Sequence, residues 1–209
     1  DSLLSRPNLN LNDLKVRKFP EEMKKFSNVK YLSVCNSSIE TLEGLDTRSL
    51  RKLCLNGVQK LKMCQFYAPV LQDLMIEFAN IGPLGGINCP ELKGLFLQGS
   101  RVGSLSGIVA PHLHFLNLHL ADISSLSGVS LPKLTILVLA DSPITSLEKF
   151  SAPNLLQLHA KSSDLLTLNG ASFPRLEKLD IRDTRVRNIG TIDAIKVDIL
   201  YRPKGFSSN

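Results

Sequence analysis

The sequence predicts a repeat solenoid of parallel strands, and three observations carry that expectation. A Leu or Val returns every 21 residues, at Val29, Leu50, Leu71, Leu92, Leu113, Leu134, Leu155, Leu176 and Val197. Three places after each stands a leucine without exception: Leu32, Leu53, Leu74, Leu95, Leu116, Leu137, Leu158, Leu179 and Leu200. Two further on come Val34, Leu55, Ile76, Leu97, Leu118, Leu139, Ala160 and Ile181, while proline keeps its own column from Pro69 to Pro174. Chance does not hold one phase over so many turns, so the chain is an array of equivalent units.

Within a unit the apolar period changes. Leu116-Asn117-Leu118 alternates as a strand does, sending the two leucines to one face and Asn117 to the other. Ile123 and Leu126 then return inward at looser spacing, followed by Gly128 and Val129. The recurrent Pro fixes φ and has no N–H, which suits the approach to a strand rather than its middle. One short strand and one return path fill the unit and leave no room for a long helix. Successive strands are therefore parallel, ~4.8 Å apart, with the leucines stacked beneath them as a continuous core.

Composition narrows the class. Hydrophobic content is 43%, with no Trp and only 3 Tyr among 209 residues, which fits many small leucine layers better than one bulky centre. No apolar run reaches the ~20 residues that cross a bilayer, so no membrane span is expected. The chain starts at Asp1 without a charged-then-apolar leader, so no targeting segment is expected within it. The net charge of +6 is uneven: residues 1–62 carry +5, residues 63–150 carry −2 and residues 151–209 carry +3. Basic ends around a faintly acidic middle make no continuous track for a polyanion. Lys178, Arg182, Arg185 and Arg187 are interleaved with Glu177, Asp180 and Asp183, which reads as a mutually paired, solvated face. Nucleic acid is thus not an expected partner, because the aromatic residues lie away from the positive charge.

The pattern LxxLxLxxSxIxxLxGxxxPx, sustained over residues 6–202, resembles the leucine-rich repeat family in a short, 21-residue form. The resemblance implies an α/β solenoid: a curved parallel sheet on the concave side, short 3-10 or turn segments on the convex side, and little regular helix. It implies a non-catalytic surface that binds other proteins. The expected organisation is a single solenoid over 1–209. A first unit of 23 residues spans 6–28, eight 21-residue units span 29–196, and a partial last unit with a polar tail spans 197–209.

Two departures from the family pattern stand out. Where the family usually places Asn, three positions after the last strand leucine, the column reads Ser37, Val58, Ala79, Ser100, Ala121, Ser142, Ser163 and Thr184. Hydroxyls can make some of the missing hydrogen bonds; Ala and Val cannot, so the backbone there must pair in another way. The ends are also irregular. Lys60 takes the place of an inward Ile with Leu61 shifted by one, and Arg202-Pro203 stands where the last strand should continue after Val197.

Catalytic signatures are sparse, and neither catalysis nor a cofactor or metal is expected. His112, His114, His119 and His159 fall in different columns of the repeat and should not converge on a metal. Gly85-Gly86 is not followed by Gly-Lys-Ser and makes no phosphate loop. Asp73 and Glu77 share a strand face but sit ~13 Å apart, too far for the carboxylate pair of a glycosidase. Of the four cysteines, Cys35 and Cys54 face outward on neighbouring strands but two residues out of step, which puts their Cα atoms ~8 Å apart and argues against a bridge. Cys64 lies on a return path, and Cys89 precedes Pro90 in a core column. Unpaired thiols point toward a reducing, cytoplasmic setting. The alternatives are a surface or secreted adhesin or effector, and the recognition arm of a larger protein.

Function is expected on the strand face. Residues flanking each strand leucine should face water, and there Met75, Phe96, Phe115, Ile136 and Val138 form an apolar group across four strands, with Phe78 and Leu120 at its margin. Gln98, Asn117 and His119 would supply a polar rim. A contiguous apolar group of this kind calls for a partner: another protein, or a second copy of the chain.

Overall fold

The computed structural model describes residues 6–63, 65–187, 189, 192 and 198–201, the last four through their backbone. Expectations that fall on Cys64, Val197, Arg202 and Pro203 lie outside these residues.

Ten short strands follow one another in sequence and in space: β1 (Asn8–Asn10), β2 (Tyr31–Ser33), β3 (Lys52–Cys54), β4 (Asp73–Met75), β5 (Gly94–Phe96), β6 (Phe115–Asn117), β7 (Ile136–Val138), β8 (Gln157–His159), β9 (Lys178–Asp180) and β10 (Asp198–Tyr201). All pair in parallel in the order of the chain. The register matches each leucine with its copy, as in Leu74↔Leu95 and Leu95↔Leu116. The one helical segment among the described residues is a 3-10 turn at Glu21–Lys25, closed on its outer side by a 2.5 Å Lys24–Glu21 pair.

The three apolar columns are the core. From Val29 to Ile181 their members are no more than 2% exposed, and every central leucine from Leu32 to Leu179 is fully buried. Ile123, Leu126, Ile144 and Leu147 close the layer from the return side, joined by Phe150 and Phe173 packed edge to face at 6.1 Å. The irregular third return path keeps this logic: Lys60 is exposed and Leu61 takes the buried position.

Two turns per unit make the coil. Before the strand, the recurrent Pro sits second in a tight turn, whose bonds include Leu92 N–H to Cys89 O at 3.0 Å and Leu155 N–H to Ala152 O at 3.0 Å. Pro suits that position because its fixed φ is already the turn value. After the strand, a second turn closes from Val58 N–H to Leu55 O at 3.2 Å, and likewise from Ala121 to Leu118 and from Ser142 to Leu139. That turn answers the puzzle of the missing Asn column. The backbone N–H of Val58, Ala121 and Ser142 is satisfied inside its own unit, so the side chain is free to vary. The carbonyls of the column accept from the next unit, as Val58 O does from Asn80 N–H at 2.9 Å and Ser100 O from Asp122 N–H at 3.1 Å. Ser163 and Thr184 donate to the carbonyls of Ala160 and Ile181, each at 2.7 Å. Ser37 and Ser142 keep a buried hydroxyl without a partner.

Two measurements test this layering. Leu116→Ala should lower unfolding free energy by about 3 kcal/mol in a urea titration, as for other deep leucine truncations; the exposed Lys133→Ala should stay within about 0.5 kcal/mol. The second concerns Cys89, which has no exposed surface and whose thiol burial pushes up to about 12 from the ordinary 9.0. Between those values the folded chain holds a proton that the unfolded chain has released, so this contribution is intact below pH 9 and lost as pH rises toward 12. The melting temperature of Cys89→Ala should therefore fall less steeply above pH 9 than that of the wild type.

Candidate partner-binding face

The strand residues on either side of each leucine present one surface of the sheet, and its character changes along the array. At the centre, Met75, Phe96, Phe115, Ile136 and Val138 are all half-buried. Parallel register sets Met75 beside Phe96, and Phe115 beside Ile136, whereas Asn117 stands between Phe96 and Val138. The apolar group is therefore continuous but stepped. Phe96 and Phe115 bridge the step, their ring centres 5.1 Å apart and tilted by 36°, within the favoured range for aromatic pairs.

Gly94 makes that contact possible. A side-chain carbon at Gly94 would fall 2.8 Å from the Phe96 ring and 2.9 Å from an Asp73 carboxylate oxygen. The ring of Phe96 thus lies back along its own strand, over the bare backbone, instead of standing straight out. Asp73 in turn pairs with Lys52 at 2.9 Å, and Glu77 accepts from the Asn56 amide at 3.0 Å. The two carboxylates expected to share a face are each engaged with another neighbour.

The polar residues assigned to the rim are placed along the same edge. Asn117 Oδ1 accepts from the His119 backbone N–H at 3.0 Å. His119 Nδ1 donates to Ala140 O at 3.0 Å and lies 3.4 Å from Asp141 Oδ2, which orients the ring along the strand ends. Gln98 is half-buried between these columns. Toward the last strands the surface becomes charged, with Arg182 held on Asp180 by hydrogen bonds of 2.9 and 2.7 Å. Burial opposes ionisation of Asp180, but the side-chain and backbone hydrogen bonds from Arg182 outweigh it and keep the carboxyl below its ordinary value.

A column just beyond the strands holds the least expected geometry. In this column every described unit has a residue of positive φ: Asp13, Asn36, Gly57, Phe78, Gly99, Leu120, Asp141, Ser162 and Asp183. It is the third residue of the turn after the strand, where Gly and Asn belong because a side chain there meets the backbone. Seven of the nine positions hold small or short polar residues. Phe78 (φ 52°) and Leu120 (φ 56°) do not, and they are also 58% and 52% exposed. The ring of Phe78 occupies the space above Gly99, where a side-chain carbon would fall 2.6 Å from it. Bulky apolar residues thus stand in solvent at strained positions on either side of a bare glycine. Strain of this kind collects at functional positions. Sequence reasoning placed both residues at the margin of the apolar group without seeing their strain; the signal was there in the Asn/Gly/Asp column they interrupt.

Other surfaces offer less. An open groove on the return side runs between Glu40 and Tyr67 and is floored by Met63 and Phe66. Among the described residues, no group of three or more His, Cys, Asp or Glu is placed to hold a metal ion, and no helix is long and apolar enough to cross a membrane. Cys35 and Cys54, expected to stand too far apart for a bridge, are both free thiols, yet their Sγ atoms lie 2.7 Å apart. The offset of two residues along the strands is closed by side chains that lean toward each other. Cys54 is only 7% exposed despite its position on the sheet surface.

No protein-family profile and no curated protein matches the sequence. Solved structures do. A chain of the octameric complex of Latrophilin 3, Unc5D and the leucine-rich-repeat part of FLRT2 superposes with a TM-score of 0.62 at 19% identity over 86% of this chain. The functional domain of InlJ from Listeria monocytogenes gives 0.59 at 15% identity over 93%, and TLR13 in its complex with ssRNA13 gives 0.58 at 20% over 88%. This chain spans 60%, 52% and 33% of those chains, respectively. At such identities the likeness is one of fold.

The strained column makes its own prediction. Leu120→Gly should raise the unfolding free energy by about 1 kcal/mol, because it relieves a left-handed conformation that L-residues resist. Leu118→Gly, two residues away and fully buried, should destabilise severely. Equal losses from both, measured by denaturant unfolding, would contradict the strain.

Proposed function

The chain has the leucine-rich-repeat fold, and from that premise we propose that it is a non-catalytic recognition scaffold that grips a protein partner on the concave, strand-lined face. The observation that carries this reading is the continuous apolar group of Met75, Phe96, Phe115, Ile136 and Val138, set on a rigid sheet and left half-open to solvent. Aromatic and Met side chains supply most binding energy where they cluster at the centre of an interface. A rigid platform adds to this, because side chains already held in place lose little entropy on binding. Phe96 is such a side chain, laid over Gly94 and stacked on Phe115.

The polar residues fit the rim of the same site. Gln98, Asn117 and His119 flank the rings, and the fixed hydrogen bonds of Asn117 and His119 give a partner a directional edge to read. Phe78 and Leu120 extend the apolar surface past the strand ends. Strain accepted at those two positions is intelligible if exposed apolar surface is what selection retains there. Catalysis finds no comparable support, since the carboxylates and imidazoles of the face are spread along it and engaged with other groups.

The test is a direct comparison of two proteins. Phe96→Asp combined with Phe115→Asp should abolish recovery of protein partners in an affinity capture, with the circular dichroism spectrum and melting temperature close to wild type. Sedimentation of the purified wild-type chain separates a second copy from a foreign partner: a dimer lost in the double variant identifies self-association. Unchanged capture by a folded double variant would refute binding through this face.

A further inference from the structure

Cys35 and Cys54 are joined by more than their 2.7 Å contact. The Cys35 sulfur lies 3.3 Å from Ser33 Oγ, and Ser33 Oγ donates to Asn12 Oδ1 at 2.6 Å. Asn12 Oδ1 also accepts from the Cys35 backbone N–H at 2.9 Å. A single direction of donation satisfies all four groups: Cys54 thiol to Cys35 sulfur, Cys35 thiol to Ser33 oxygen, Ser33 hydroxyl to Asn12. The relay runs from Asn12, just past β1, through Ser33 of β2 and Cys35 just past it, to Cys54 of β3, and holds the two sulfurs together. They lie within an ångström of the ~2.05 Å of a covalent S–S bond.

We propose that Cys35 and Cys54 form a modification site, a dithiol that reacts with small disulfides such as oxidised glutathione and closes to an intrachain bridge between the turn that follows β2 and the end of β3. The chemistry runs in two exchanges. The Cys35 thiolate, its proton released to solvent, attacks one sulfur of the small disulfide; a Cys35–glutathione bond forms, the reagent's S–S bond breaks, and one glutathione thiol leaves. The Cys54 thiolate then attacks the Cys35 sulfur; the bridge forms and the second glutathione thiol leaves. Both protein thiols are oxidised, and one glutathione disulfide is reduced to two thiols. The reverse sequence with reduced glutathione restores the dithiol.

The order follows from exposure. Cys35 is half-exposed and Cys54 nearly enclosed, so the reagent meets Cys35 first. Burial, followed by the hydrogen bond with Cys35, pushes the Cys54 thiol up to about 11. Cys54 is therefore a poor target for a reagent from solvent but a well-placed one for its neighbour, since proximity substitutes for thiolate abundance. Its closing step should quicken as pH rises toward that value. Cys89 is fully enclosed and takes no part. The site has a consequence for the surface around it, because Cys54 is the register partner of Met75, at the edge of the central apolar group.

The experiment treats the full chain with oxidised glutathione under native conditions, followed by digestion with trypsin without reductant and mass spectrometry. Trypsin separates the two thiols into peptides 31–48 and 53–60. The expected product in the wild type is the linked pair of these peptides, two hydrogens lighter than their sum. In Cys54→Ser, Cys35 should instead retain glutathione, at least about tenfold more than in the wild type, because the resolving thiol is gone. In Cys35→Ser, which changes a half-exposed residue, Cys54 should stay unmodified until the chain is unfolded. Stable glutathione on wild-type Cys35 without linkage, a bridge made to Cys64 instead, no modification of the folded wild type, or native reaction of Cys54 in Cys35→Ser would each overturn the proposal. The wild-type arm requires no variant to fold.

Discussion

Every feature of this chain depends on the fact that a 21-residue coil cannot bury its own leucines. Each unit offers one apolar edge above and one below, and only a neighbour in the same register covers them. Parallel pairing supplies that register: Leu53 lies on Leu74, Leu74 on Leu95 and Leu95 on Leu116. A slip of one residue would turn the leucines to water and the polar flanking residues inward. Core and backbone ladder therefore impose the same alignment. A consequence reaches the surface as well. Once units are aligned, residues far apart in sequence become side-by-side neighbours, so any column of the repeat becomes a stripe.

The tolerance of those stripes differs with the turn chemistry beneath them. The inner column after the strand accepts Ser, Ala, Val or Thr because its backbone N–H is satisfied by a turn rather than by a side chain. The preceding column accepts few residues without strain, since its φ is positive in every described unit. Phe78 and Leu120 violate that local rule. Gly94 and Gly99 do the reverse, leaving space that the Phe96 and Phe78 rings fill. The centre of the sheet face is thus shaped as much by absent side chains as by present ones.

Along the array the same face passes through three chemistries. The first strands carry the Asn12–Ser33–Cys35–Cys54 relay, the middle strands the aromatic and aliphatic group, and the last the Asp180–Arg182 pair. A solenoid permits this division because each unit contacts only its neighbours, so one segment of the face can change without disturbing the next. The scaffold needs the buried columns and the turns; the exposed strand positions between them are available for recognition.

The sequence by itself determined the repeat length, the three buried columns, the parallel order and the face on which each strand residue emerges. Strict periodicity encodes all of these, because the side-chain alternation of a strand and the phase of the repeat leave one way to hide the leucines. Even the exposed Lys60 and the buried Leu61 and Cys89 were legible as single displacements within that phase. What only the tertiary structure decided is how side chains lean once they have emerged. Spacing along the chain kept Cys35 and Cys54 apart, but the lateral closeness of adjacent strands lets their side chains meet. The repose of Phe96 over Gly94 on its own strand, and the positive φ under Phe78 and Leu120, are local backbone geometry that the repeat phase does not encode. Periodicity assigns a residue to a face; the direction it takes there is set by its neighbours in space.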